Sequence, residues 1–236
     1  MGATARRLLE TTTGKLAPDP RTNRLLPAVA RGAVGPETLA ALALEQRWVI
    51  DSDHRAFVYL AHRTEGTPPL AAYFTALARG EALAARKLEA FATACGVGES
   101  RTVAHEPLPG CQAYPAYVAW LALNGSPAET VLALHANFSA WGGYCATVGN
   151  ALRRHHGFTD EACAFFDFFA APDPDLEHAA TAAVQAGLDG GPVSEDLVHR
   201  YGRLLQAYEA MFWQSLWELE RPGAAEETTE GLAQKS

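Results

Sequence analysis

The chain has no surplus of positive charge: 19 Lys and Arg stand against 27 Asp and Glu, a net charge of -8. Phosphate binding is driven by such a surplus, so nucleic acid is not expected as a direct partner, and the pairs Arg6-Arg7 and Arg153-Arg154 are too short to reverse the balance. There is no apolar run of about 18 residues to span a bilayer. The opening MGATARRLLE lacks the apolar block of a signal peptide, so the expectation is a cytoplasmic protein with no membrane partner. Cysteine is sparse, and Cys95, Cys111, Cys145 and Cys163 never form a CxxC pair, which leaves a zinc or redox site without local support. Buried free thiols are expected instead. Strand signals are also missing: no stretch alternates polar and apolar residues with β-branched enrichment for more than a few positions.

What remains is helical periodicity, and the fold class it predicts is all-α. GPETLAALAL opens a helix over 36–63, with Pro36 in the first turn and a stripe of Leu39, Leu42, Val49, Phe57 and Leu60. Further helices are expected over 69–95 and 112–123. SPAET places Ser126 as cap, Pro127 at the first position and Glu129 three residues on, which predicts a helix running to about His155. Thr159-Asp160-Glu161, Asp173-Pro174 and Ser194-Glu195-Asp196 signal three more starts, with acids near the positive helix ends. Short links favour one bundle of neighbouring helices. The expected organisation is an N-terminal arm over 1–20, a helical domain over 21–219 and a disordered tail over 220–236.

Several apolar stripes carry a polar interruption. In LLQAYEAMFW, Glu209 shares a face with Leu205, Phe212, Trp213 and Leu216. Burying a carboxylate there without a partner is costly, or raises its pKa until it is neutral. Gln46 and Asp53 interrupt the stripe of helix 36–63, Tyr114 and Tyr117 that of the third helix, and Asn137 lies among Leu134, Trp141 and Tyr144. Each taken alone fits a satisfied structural network. Their occurrence on several helices fits an internal ligand site equally well.

The segments EQRWVIDSD, YPAYVAWLALNGSPAETVLAL, FFDFFAAPDPDLEHA and QAYEAMFW resemble the TenA/thiaminase II family, part of the haem-oxygenase-like superfamily that also holds PqqC. The resemblance runs from about residue 20 to 219 and implies a helical bundle with an internal pocket. The family's closing Tyr-Glu-x-x-Phe-Trp pattern is matched by Tyr208, Glu209, Phe212 and Trp213, which implies that Glu209 handles protons. Tyr114 matches the tyrosine that orients the pyrimidine, whereas the nucleophilic cysteine is replaced by Asn137. The Gln-Asp pair of the first long helix becomes Gln46-Arg47, and two pocket tyrosines become Ile50 and Phe169. An amide cannot attack as a thiolate does. Cys145 lies about 12 Å further along the axis from Asn137 and does not replace the nucleophile.

The superfamily also contains di-iron oxidases with a His-x-x-x-Asp-x-x-His helix. Asp175 and His178 fit its second half, but Ala171 stands at the first histidine, and residues 130–159 hold no Asp or Glu. No metal and no cofactor are expected. The resulting expectation is a metal-free enzyme acting on a small anionic or zwitterionic metabolite, with Glu209 as general acid/base. Tyr114, Arg47, Gln46, Asn137, Phe169, Ile50, Tyr208 and Asp53 would bind the substrate. The alternatives are a cysteine-independent aminopyrimidine hydrolase in thiamin salvage and a non-catalytic metabolite-binding regulator. The resemblance also implies a homo-oligomer.

Overall fold

Proline and acidic residues at helix starts divide the chain, and the computed structural model, which describes residues 2–220, builds a helix behind each of those starts. The helices are α1 (Gly2–Lys15), α2 (Leu25–Ala30), α3 (Pro36–Arg63), α4 (Pro68–Ala94), α5 (Glu99–Ala104), α6 (Pro109–Asn124), α7 (Pro127–His156), α8 (Asp160–Ala170), α9 (Pro174–Gly190) and α10 (Glu195–Glu220). A single 3-10 turn, Pro20–Thr22, precedes α2, and no strand occurs among the described residues. None of these helices is long and apolar enough to cross a membrane.

The long helices fall where periodicity and capping place them. The third expected helix starts three residues early, because Leu108 is extended and Pro109 supplies the preset first turn. Thr159 and Asp173 cap as expected, accepting from Ala162 N at 3.2 Å and Leu176 N at 2.9 Å. Ser126 differs. Its hydroxyl donates to Glu129 instead of accepting a backbone N–H, and Glu129 Oε1 accepts from Ser194 N at 2.9 Å. The residue read as a local capping partner thus ties the start of α7 to the segment before α10.

Two other helix starts are held by distant carboxylates in the same way. Glu45 Oε1 accepts from Leu108 N and from His105 Nε2, both at 2.8 Å, which fastens the approach to α6 onto α3. Glu220 accepts from Gly35 N at 3.0 Å and from the Thr38 hydroxyl at 2.7 Å, where α3 has no capping side chain of its own. A negative group at the positive end of a helix satisfies orphan donors and complements the dipole. Glu220 is therefore part of the bundle, while the rest of the tail expected over 220–236 lies outside the described residues. The arm expected over 1–20 carries α1, whose Ala5 and Leu9 are buried as it packs on α7 and α9.

Six helices close a ring in the order α3, α4, α8, α7, α10, α6 and back to α3, each packed on the next. The last helix wedges between α6 and α7. Helix α9 lies outside this ring, against α4 and α7.

Helix α9 approaches α7 closely at Gly187, where an added Cβ would overlap the Cβ of Ala128. Gly143, in the middle of α7, meets nothing within 4 Å. In urea unfolding, Gly143→Ala is expected to stabilise by up to about 1 kcal/mol through helix propensity. Gly187→Ala is expected to destabilise by about 1–3 kcal/mol, because overpacking outweighs the same gain.

Candidate functional site

Every helix of the ring contributes to one cavity at its centre. The lining comprises Gln46, Val49, Ile50 and Asp53 from α3, Glu81 from α4 and Tyr114 from α6. Asn137, Phe138 and Trp141 come from α7, Phe169 from α8, and Glu209 and Phe212 from α10. About 40 Å³ is open to the centres of water molecules. Phe138, Phe169 and Glu81 also line an outer groove of about 600 Å³ between α4, α7 and the α8–α9 turn, so these three side chains form the wall between the two spaces.

Three helices meet through one hydrogen-bonded chain. The Tyr114 hydroxyl donates to Asn137 Oδ1 at 2.9 Å, and Asn137 Nδ2 donates to Glu209 Oε2 at 2.6 Å. The other carboxylate oxygen of Glu209 accepts from Trp213 Nε1, one helical turn on, at 3.3 Å. Burial raises the Glu209 pKa to about 7, against the two donors, which favour the charged form and pull it down. Burial and the carboxyls of Asp53, Glu209 and Glu81 push the Tyr114 phenol well up, so it stays a neutral donor.

A second acidic group faces this chain. Asp53 is only 2 % exposed, and its Oδ1 meets no hydrogen-bond partner among the described residues. Glu81 is 7 % exposed. Burial and the neighbouring Glu81 raise Asp53 well above the usual carboxylate range, and burial brings Glu81 to about 8. Among the described residues, no Arg, Lys or His lines the cavity.

Seven of the nine candidate site residues meet here: Gln46, Ile50, Asp53, Tyr114, Asn137, Phe169 and Glu209. Two do not. Arg47 sits one residue, about 100°, round the helix from Gln46 and pairs at 2.9 Å with Glu89 on the outside of α4. The substrate-gripping place expected for Arg47 is corrected accordingly. Tyr208 is turned from the cavity by the same rotation relative to Glu209, and its ring packs on Tyr117 with centroids 5.2 Å apart. Glu81 was missed, although the signal that marks Glu209 also marks it: it interrupts the buried stripe Phe74, Leu77, Ala84, Leu88 of α4.

Cys145 is buried, and desolvation together with Glu209 raises its thiol well above the ordinary range, so it is a poor thiolate source. Asp175 and His178 are exposed on α9. Among the described residues no three His, Cys, Asp or Glu side chains are grouped to hold a metal ion.

An all-helical ring of the haem-oxygenase-like kind, with a glutamate-centred internal cavity, is the class that this fold and site define. The family model described as TENA/THI-4/PQQC matches residues 70–218, and the chain belongs to that family. Among solved structures, a domain of unknown function with a haem oxygenase-like fold from Shewanella denitrificans superposes with a TM-score of 0.67 at 14 % identity, over 92 % of this chain and 91 % of that one. A TenA homologue from P. horikoshii gives 0.64 at 17 %, over 92 % and 97 % of the two chains. A TenA family transcription regulator from Silicibacter gives 0.58 at 13 %, over 90 % and 96 %. At these identities the likeness is one of fold. No curated protein matches the chain by sequence.

The raised carboxyls fix the sign of a pH dependence. The folded state keeps protons on Glu209 and Glu81 that the unfolded chain releases in the ordinary carboxylate range, so their contribution is full below that range and is lost as pH rises through about 7 to 8, and the raised Asp53 acts in the same direction. Urea midpoints are expected to fall between about pH 5.5 and 8.5, and Glu81→Gln, which cannot ionise, is expected to flatten that fall.

Proposed function

We propose that the protein is a TenA-like enzyme that hydrolyses a C–N bond in a small, planar, amine-bearing molecule of the aminopyrimidine class, without a cysteine nucleophile. The observation that carries this reading is a cavity walled by aromatic rings and three buried carboxyl groups, with no basic side chain among the described residues that line it. An anionic substrate, the expectation that rested on Arg47, would add negative charge where carboxyls already hold protons to avoid it. A neutral or basic nitrogen heterocycle supplies donors to those carboxyls and a flat face for Phe138, Trp141, Phe169 and Phe212.

Glu209 is the acid/base group of the proposed reaction. With a pKa near neutrality it can take a proton from water as the oxygen attacks the carbon that bears the leaving nitrogen. A C–O bond forms, the C–N bond breaks, and the proton passes from Glu209 to the departing amine. Asn137 occupies the position of the family's nucleophile but acts by position: its amide holds Glu209 on one side and the Tyr114 hydroxyl on the other. Water takes the role that a thiolate would otherwise fill.

The test is turnover of 4-amino-5-aminomethyl-2-methylpyrimidine. Wild-type protein is expected to release ammonia from it, and Glu209→Gln is expected to lower kcat by about 10²–10⁴-fold with little change in KM. Asn137→Ala removes a donor that favours ionised Glu209, so the pKa seen in the kcat profile is expected to rise above about 7. If the compound bound and stayed intact, the protein would be a metabolite-binding regulator. If it did not bind, the aminopyrimidine reading would be wrong.

A further inference from the structure

Asp53 and Glu81 take no part in the proton transfer assigned to Glu209. Asp53 on α3 and Glu81 on α4 line the same cavity as the hydrogen-bonded chain, and neither is hydrogen-bonded to Glu209. Other buried carboxylates of this protein close helix starts: Glu45 takes Leu108 N, and Glu129 takes Ser194 N. Asp53 has no such duty. It is 2 % exposed, lines the cavity, and one of its oxygens meets no donor among the described residues. A buried acceptor in that position carries a desolvation cost that no protein group offsets, which points to a donor brought by a ligand.

We infer that Asp53 and Glu81 form a cation subsite which receives a protonated amidine-like or ammonium nitrogen of the ligand in exchange for a proton of the pair. This inference rests on the reading of the cavity as a site for amine-bearing molecules, and adds the charge state in which the molecule is held. Two buried carboxyls that line one cavity cannot both ionise cheaply, so the pair keeps protons at neutral pH. A bound monocation substitutes for one of them. Two carboxyl groups on neighbouring helices suit a nitrogen group with divergent N–H bonds, and charge-assisted contacts of that kind are the stronger ones.

Among the described residues, no Arg, Lys or His shares the cavity lining with the pair. The cavity side presents Tyr114 from α6 and Glu209 from α10, uncharged Asn137 from α7 and Phe169 from α8, and Gln46 from α3. The Tyr73 phenol adds to the same environment, and its pKa is raised by burial and by Glu177. On the groove side Glu81 shares the walls with His135, Asp173, Asp175 and Glu177. His135 lies 3.8 Å from Glu177, and burial holds its pKa below the usual value, so it is largely neutral above neutral pH. A cation approaching through the groove therefore meets acidic groups before it reaches Glu81.

Calorimetric titration with benzamidinium and with benzamide, a neutral molecule of the same shape, separates charge from fit. At about pH 7.5, wild-type protein is expected to bind benzamidinium at least about tenfold more tightly than benzamide. Repeating the titration in two buffers of different ionisation enthalpy should show release of about one proton per benzamidinium bound. Glu81→Gln and Asp53→Asn are each expected to abolish both the preference and the proton release, whereas Arg47→Ala, whose side chain lies outside the cavity, should keep both. Circular dichroism checks that each variant is folded, and Glu81→Gln alone suffices if Asp53→Asn is not. Equal binding of the two probes, binding of neither, or a preference that survives in folded Glu81→Gln would overturn the subsite. The readout is binding, so it stands apart from turnover. Loss of the charge preference with pyrimidine hydrolysis intact would sink the subsite and leave the enzyme, and a Glu81-dependent preference without hydrolysis would do the reverse.

Discussion

The hydrogen bond from Asn137 to Glu209, 2.6 Å long and sealed inside the bundle, is the contact on which the rest of the centre depends. It joins α7 to α10, and through Asn137 Oδ1 it reaches Tyr114 on α6. Helix α10 wedges between the other two, so the carboxylate enters the ring at the level where both neighbours present a polar group. Without the amide and the Trp213 indole, Glu209 would be an unpaired acid in an aromatic box, and burial would drive its pKa higher still. With them it is held near neutrality, where a carboxyl can both take and give a proton.

The buried and partly buried acids of this protein divide by what they touch. Glu45, Glu129 and Glu220 each take a backbone N–H near the start of a helix that lies far away in the chain, and so set where α6, α10 and α3 begin. Those contacts build the ring. Asp53, Glu81 and Glu209 instead face the space that the ring encloses, with pKa values pushed up by burial. Because six helices each supply part of the lining, loss of packing between any two neighbours would disturb the cavity. Stability and site geometry are therefore linked through the same contacts.

Much of the bundle was legible because its signals are local. Pro36, Thr159-Asp160 and Asp173-Pro174 open helices through chemistry that acts within a few residues, and the structure begins α3, α8 and α9 at those places. Glu209, Asp53 and Gln46 could be found because a polar residue on an apolar stripe is visible in one helix alone. Glu81 carries the same mark on α4. The direction of Arg47 was not legible, since adjacency to Gln46 in sequence means about 100° of separation on a helix, and its partner Glu89 is 42 residues away. Nor could periodicity place Glu129 against Ser194, because that hydrogen bond joins helices whose order around the ring is a tertiary fact. The resemblance carried by Tyr114 and by the residues around Glu209 agrees with the family match over 70–218, which establishes kinship but leaves chemistry to the cavity.

The central claim is that Glu209 is a buried carboxyl poised near neutral pH by Asn137 and Trp213. A carbon-13 NMR titration of the side-chain carboxyl carbons tests it most directly, with Glu209→Gln used to assign the resonance. The Glu209 carboxyl is expected to titrate at about 7 in the wild-type protein. A Glu209 carboxyl that titrated in the ordinary carboxylate range, about 4.3, would contradict it, since that group would be fully ionised at neutral pH and unable to donate a proton.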